Sequence, residues 1–440
     1  MKPSSIRIAF VALTLAAGCG APGIRAADFP APSAAPEPRP AVSRRPPIVI
    51  IPGAPGSELL DATTGQRVWP SARLMSKKDG NAVLALPLND PERTTIVAGG
   101  VLREVHVSGL IFHIRAYDGL EKHLRELGYR PGDWKAPRGD AEYFYFPYDW
   151  RLSVEASGRR LARELTAFYR RCPTGTPPAV LLGHSLGGLL ARYALMYGDA
   201  PLGADGPLPP VTWAGAATIG SVFLVATPNE GTFLALKRLE RGIFYRAGHG
   251  AFSPETLFSY PSVFDMIPKR LAPLVDDTGK PLPFNLDDPD GWDRAGWSVL
   301  NPRSRSLTPY AARRQHLASE LARHARLWEA LDQLASTANP VRLYVVAGGS
   351  KDVQRSALVT GGRRGVTVHF DLPPVARSRF KPLLFEPGDT MVPVRSPLAE
   401  SSTHDPASSL YFTRVLRSKR THQALLSSPE LLTALNDVVK

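Results

Sequence analysis

Cysteine is almost missing from this chain: Cys19 and Cys172 are the only two in 440 residues. No disulfide framework and no cysteine-based metal site can be built from them. Long apolar runs are missing as well. The one N-terminal candidate, 8–17 behind Lys2 and Arg7, is about half the roughly 20 residues that a bilayer span needs, and no later stretch reaches that length without charges. There is no H-E-x-x-H, no phosphate loop and no dinucleotide fingerprint, so metal, nucleotide and redox roles have no support and no cofactor is expected. Acidic residues are in deficit, 40 against 53 Lys and Arg, for a net charge of +13. No internal repeat at solenoid periods is visible.

What is present begins with an expected export signal over residues 1–20: two basic residues, a short apolar core, then Gly18 and Cys19. The run Leu15-Ala16-Ala17-Gly18-Cys19 has the loose form of a bacterial lipoprotein box, and ordinary signal cleavage is the other reading. The expected location is the cell envelope, either periplasmic and possible to anchor through Cys19, or secreted. Residues 21–46 are rich in Pro and Ala and read as an extended tether. Setting aside residues 1–46, with six basic and two acidic groups, lowers the net charge from +13 to +9. A basic exterior suits an anionic membrane surface, and the exported location leaves no role for nucleic acid. No obligate protein partner is evident.

The rest, 47–440, is expected to be one α/β domain organised around 179–193, A-V-L-L-G-H-S-L-G-G-L-L-A-R-Y. An apolar strand drives into Gly183-His184-Ser185-Leu186-Gly187, and a helix-competent segment follows. By chance alone G-x-S-x-G turns up roughly 0.2 times in such a chain, so the placement between strand and helix carries more weight than the pentapeptide. A serine hydroxyl is a poor nucleophile until a base takes its proton, and a tight elbow presents it to a distant histidine. An earlier β-branched run, Ile48-Val49-Ile50-Ile51, reads as a strand covered on both faces. In a sheet of this kind the loop after it supplies one oxyanion-hole N–H and the residue after the serine the other, which names Ala54 and Leu186.

Further along, 60–116 reads as an excursion from the core, and 118–128 and 154–171 as helices with leucines on one face. Strand patterns follow at 143–146 and 219–226. From 232 to 340 they give way to Pro, Gly and aromatics, an expected cap insertion, within which 309–336 has an apolar stripe expected to pack on its own domain. Strand patterns return at 341–347, 365–370 and 410–416, and 430–439 closes the chain as a helix. Asp389 stands on a turn after an apolar segment, and His422 opens the loop after the last strand. The order Ser185, Asp389, His422 is that of nucleophile, acid and base in α/β-hydrolases. Asp352 and Asp371 are rival acids and His404 a rival base; the turn positions favour Asp389 and His422.

With those residues in place the chain resembles the lecithin:cholesterol acyltransferase family. The pieces that carry this are P-G-A-P-G-S-E-L at 52–59, P-Y-D-W-R at 147–151, G-H-S-L-G-G at 183–188, A-T-P-N-E-G at 226–231, P-S-V-F-D-M-I-P at 261–268, G-D-T-M-V-P at 388–393 and H-Q-A-L-L-S-S-P at 422–429. The resemblance implies an α/β-hydrolase fold: a mostly parallel central sheet with helices on both faces, a cap and a small membrane-contacting excursion. It implies Ser185, Asp389 and His422 as the triad, Ala54 and Leu186 as the oxyanion hole, and Trp69 as a membrane or substrate contact. The implied activity is a serine-dependent lipid acyltransferase or acyl hydrolase with a lipid substrate at a membrane surface. A soluble carboxylesterase and a non-catalytic envelope protein on the same scaffold are the other readings. Several family members staple the excursion with a disulfide, which this chain lacks the cysteines to form.

Overall fold

The computed structural model describes residues 45–439 except 72–73, 75–79, 103, 108–109, 114–115, 140, 247–248, 270–273, 283, 302–303, 305, 307, 363–364 and 373. The expected export signal, Cys19 and nearly all of the tether lie outside the described residues.

The uninterrupted apolar runs become the middle of a sheet because both of its faces are covered. Among the described residues the central sheet has strands β1 (Ile48–Ile51), β2 (Arg130–Pro131), β3 (Glu142–Tyr145), β4 (Ala179–His184), β5 (Ile219–Val225), β6 (Arg342–Gly348) and β7 (Arg414–Ser418), in spatial order β7-β6-β5-β4-β1-β3-β2. Every pairing is parallel. In β1, Val49 and Ile51 point into one core and Ile48 and Ile50 into the other, all fully buried. That is why the run does not alternate with polar residues.

On the first face lie α2 (Val154–Tyr169) and α3 (Leu186–Tyr197), which bring Leu161, Leu165, Leu189 and Leu190 against Val49 and Leu181. Ser153 caps α2 by accepting from the Ala156 N–H at 3.1 Å, as its short hydroxyl side chain allows. On the second face α1 (Asp118–Glu126) and α6 (Pro429–Val439) supply Leu120, Leu124, Leu431 and Leu435. Gly128 follows α1 with φ +81°, a left-handed position that glycine takes without strain. Between α3 and α6, the stretch expected as a cap contains α4 (Phe233–Arg241) and α5 (Tyr310–Asp332), and Leu317 and Leu321 of α5 join the first core.

Two strand patterns fall differently from the sequence reading. Residues 365–369 do not enter the central sheet; they pair antiparallel with Ala357–Gly362, which pairs in turn with Leu274–Val275 of the cap. The last strand begins at Arg414, because Thr413 N–H donates to Leu343 O and the register then runs from Tyr344 opposite Arg414. The excursion is itself a small antiparallel sheet of Ser57–Asp61, Arg67–Trp69 and Ile96–Val101. No helix among the described residues is long and apolar enough to cross a membrane.

Candidate active site

The carboxyl ends of β1, β4, β6 and β7 all open on one place. Ser185 follows β4 directly, with φ +53° and ψ −124°. A non-glycine residue holds such a backbone only where its surroundings enforce it, and here Ser185 N–H donates to Val225 O at 2.8 Å while Ser185 O accepts from Gly188 N–H at 3.0 Å. The flanking glycines are dictated by contact: a Cβ on Gly183 would lie 2.6 Å from Gly188 Cα, and one on Gly187 would lie 2.5 Å from Ile51 O. Any larger residue would push the elbow off β1.

Asp389 is distant from β6 in sequence but not in space. The chain leaves β6, runs through Lys351–Gln354, and returns antiparallel to it as Phe385–Gly388. A Cβ on Gly348, the last residue of β6, would lie 2.7 Å from Asp389 Cβ. The Asp389 carboxylate is fully buried; Oδ1 accepts from the N–H groups of Met391 at 2.9 Å and Val392 at 2.8 Å. Its Oδ2 lies 2.8 Å from His422 Nδ1. A carboxylate accepts only, so Nδ1 carries the proton and Nε2 keeps the lone pair of a base. His422 N–H also donates to Asp389 O at 2.7 Å, fixing the loop after β7.

Ser185, His422 and Ala54 line one pocket, whose walls are mostly apolar and include Trp150, Phe252, Val263 and Met266. No direct hydrogen bond joins Ser185 Oγ to His422 in this structure; such contacts commonly tighten only when substrate is seated. The loop that carries Ala54 is held from several sides. Tyr148 Oη donates to Pro52 O at 2.9 Å, Gly56 N–H donates to Gly53 O at 2.7 Å, and Trp69 Nε1 donates to Pro55 O at 3.2 Å. Leu186 is the first residue of α3, where a backbone N–H has no partner within the helix. The start of a helix also favours negative charge.

The rival residues lie in other settings. Asp352 pairs with Lys381 at 2.6 Å and Asp371 pairs with Lys237, both at the surface. His404 sits between two backbone carbonyls, Leu410 O at 2.9 Å and Ala399 O at 3.0 Å.

Trp69 requires a correction. Expected as a membrane or substrate contact, it is 3% exposed and packs between Trp150 and Phe252, with ring centroids at 5.7 and 5.0 Å. The antiparallel pairing that sets it opposite Leu59 turns it into the core, behind two residues of the pocket wall. The sequence alone assigns no separate role to His184, Tyr117, Tyr148 or the wall residue Leu257. His184 stands in plain view inside G-H-S-L-G-G and Tyr148 inside P-Y-D-W-R; Tyr117 and Leu257 have no signal of spacing, because their partners are far away in the chain.

Residues 103–270 match the family model described as Lecithin:cholesterol acyltransferase. The match contains Ser185 and stops before Asp389 and His422. An uncharacterised protein of Saccharomyces cerevisiae, YJR098C, is 26% identical over 257 residues, 58% of this chain and 34% of its own length. The chain thus spans about a third of that relative. Among solved structures, a chain of the Tle4–Tli4 complex superposes with a TM-score of 0.55 at 14% identity, covering 90% of this chain and 99% of that one; this likeness concerns the fold. The Bacillus licheniformis lipase BlEst2 in its mature form gives a TM-score of 0.32 at 12% identity, covering 92% and 96%. The family match supports lipid acyl-ester chemistry, by hydrolysis or acyl transfer, as a class. Residues 103–270 are thus similar to the lecithin:cholesterol acyltransferase family over less than half of the chain, within an α/β-hydrolase fold.

Proposed function

We propose that the protein cleaves an acyl ester of a lipid, with a phospholipid at a membrane surface as donor, through an acyl-enzyme on Ser185. The observation that supports this best is the placement of Ser185 on a strained elbow beside an apolar pocket that His422 also lines, with His422 hydrogen-bonded to buried Asp389. His422 Nε2 takes the proton of Ser185 Oγ as that oxygen attacks the acyl carbon. The N–H groups of Ala54 and Leu186 stabilise the oxyanion that forms. The ester C–O bond then breaks, and the imidazolium returns its proton to the departing alcohol. Asp389 holds the ring in the productive tautomer and stabilises its charged form. A second alcohol or a water molecule repeats the sequence on the acyl-enzyme and frees Ser185. The apolar wall suits an acyl chain, and the cap over the pocket favours transfer to an alcohol by keeping water from the acyl-enzyme.

The test supplies phospholipid vesicles together with a long-chain alcohol and quantifies both the ester product and free fatty acid. Both products are expected from the wild-type chain, and Ser185→Ala is expected to reduce both by several orders of magnitude with the fold intact. Fatty acid alone across a panel of alcohols would reduce the activity to a phospholipase. Retained turnover in purified Ser185→Ala would remove the site itself.

A further inference from the structure

The residue immediately before the elbow serine is built into the site from three directions. His184 ends β4 and is 6% exposed. Its Nε2 lies 3.1 Å from the backbone carbonyl of His422, and the two imidazole rings lie 4.9 Å apart, centroid to centroid. On the other side is the loop of Ala54: a Cβ on Gly53 would lie 3.2 Å from His184 Nδ1 and 2.9 Å from Ser185 Cβ. One buried ring thus touches the loop of the base, adjoins the nucleophile through the chain and packs against the oxyanion loop.

A carbonyl oxygen accepts only, so Nε2 of His184 must be the protonated nitrogen. We infer that His184 is a positioning residue: its Nε2–H anchors the His422 backbone to the end of β4 and so fixes the base relative to Ser185. The inference rests on the reading of Ser185 and His422 as nucleophile and base. The two loops that it ties together come from β4 and β7, which are not neighbours in the sheet. Their spacing would otherwise depend on the strands between and on loop packing. Besides the carbonyl, the charged and titratable groups that face His184 are His422 and, beyond it, Asp389. Burial, followed by repulsion from His422, lowers the pKa of His184 to about 3. The ring is therefore neutral when His422 becomes cationic in the reaction, and no like charge opposes that step.

The test compares His184→Gln, whose amide can reproduce the Nε2–H donor, with His184→Phe, which keeps a ring and has no donor. Turnover of a small soluble ester, the rate at which a fluorophosphonate labels Ser185, and thermal melting are measured for each. His184→Phe should lose about 10- to 100-fold in kcat and in labelling rate with little change in KM, as expected when a base is slightly misplaced. His184→Gln should stay within about threefold of wild type. Equal losses in both variants at equal melting temperature, or full kcat in His184→Phe, would overturn the inference. Should His184→Phe fail to melt cooperatively, the wild-type tautomer decides: nitrogen NMR should show His184 neutral and protonated at Nε2 down to about pH 4, and an Nδ1–H tautomer would overturn it. Absence of labelling at Ser185 in the wild-type protein would instead overturn the parent reading of the site.

Discussion

Asp389 and the two rival aspartates differ in what surrounds them. Asp389 is fully buried, and its carboxylate oxygens meet two backbone N–H groups and the His422 ring. Asp352 and Asp371 are at least half exposed and pair with lysine and arginine side chains. Surface ion pairs of that sort contribute little, whereas an acid that fixes an imidazole tautomer controls the rate. Asp389→Asn should therefore reduce kcat by about 10⁴-fold, while Asp352→Asn and Asp371→Asn remain near wild type in the same ester assay. If Asp371→Asn were the inactive variant, the acid would have to be reassigned. The pairing of Asp389 with His422 was legible in the sequence, since both follow strand patterns at turns. The orientation of Trp69 was not: only the family resemblance pointed to a contact role, and its direction depends on strand partners that the sequence does not show.

At the scale of elements, the specific motifs prove to be fasteners between segments that are remote in the chain. In P-Y-D-W-R, Arg151 is fully buried and bidentate to Asp149, with Nε to Oδ1 at 2.9 Å and Nη2 to Oδ2 at 2.6 Å. Its Nη1 donates to Leu84 O at 2.9 Å and Nη2 reaches Ile96 O at 3.4 Å, so the same guanidinium holds the excursion against the core. Trp150 Nε1 donates to Ser57 O at 3.1 Å, where the excursion leaves the oxyanion loop. In P-S-V-F-D-M-I-P, Asp265 accepts from the first N–H of α2, Val154, at 2.7 Å and pairs with Arg323 of α5. That joins the 232–340 stretch to the first helix layer over the central sheet. Arg151→Met leaves the Asp149 carboxylate buried without its partner and should cost about 3–5 kcal/mol in chemical denaturation. Arg159→Ala, which breaks a partly exposed pair with Asp199, should cost less than about 1 kcal/mol. Similar losses in the two variants would contradict the clasp. The sequence displayed both motifs but not their use, because the bonds that join the segments span 55 to 111 residues.

Over the whole molecule, buried histidines couple folding to acidity. His184 and His324 are both held neutral with pKa values lowered from the ordinary 6.5 to about 3; in His324 burial dominates and the neighbouring Arg323 adds to it. Each is a base whose folded pKa lies below its unfolded one, so between about pH 3 and 6.5 the unfolded chain binds more protons. Stability from this source is complete above pH 6.5 and declines as the pH falls through that window. Each histidine contributes a slope of up to about 1.4 kcal/mol per pH unit. Denaturation between pH 7 and 4 should show this decline, and replacement of His324 by Gln should make it shallower. A flat stability profile across that range would mean that neither ring is neutral by burial.

The sequence by itself determined the parallel sheet and the order of the three candidate residues. Apolar runs such as Ile48-Val49-Ile50-Ile51 are local patterns with one physical meaning, burial on both faces, and the elbow glycines follow from the contacts that such a turn requires. Tertiary structure decided which strand-like runs joined that sheet, sending 365–369 to the cap side. It decided that Trp69 faces inward and that His184 reaches the His422 carbonyl. Those outcomes depend on which partner lies across a gap of tens to hundreds of residues, and hydrophobic period carries no information about the partner.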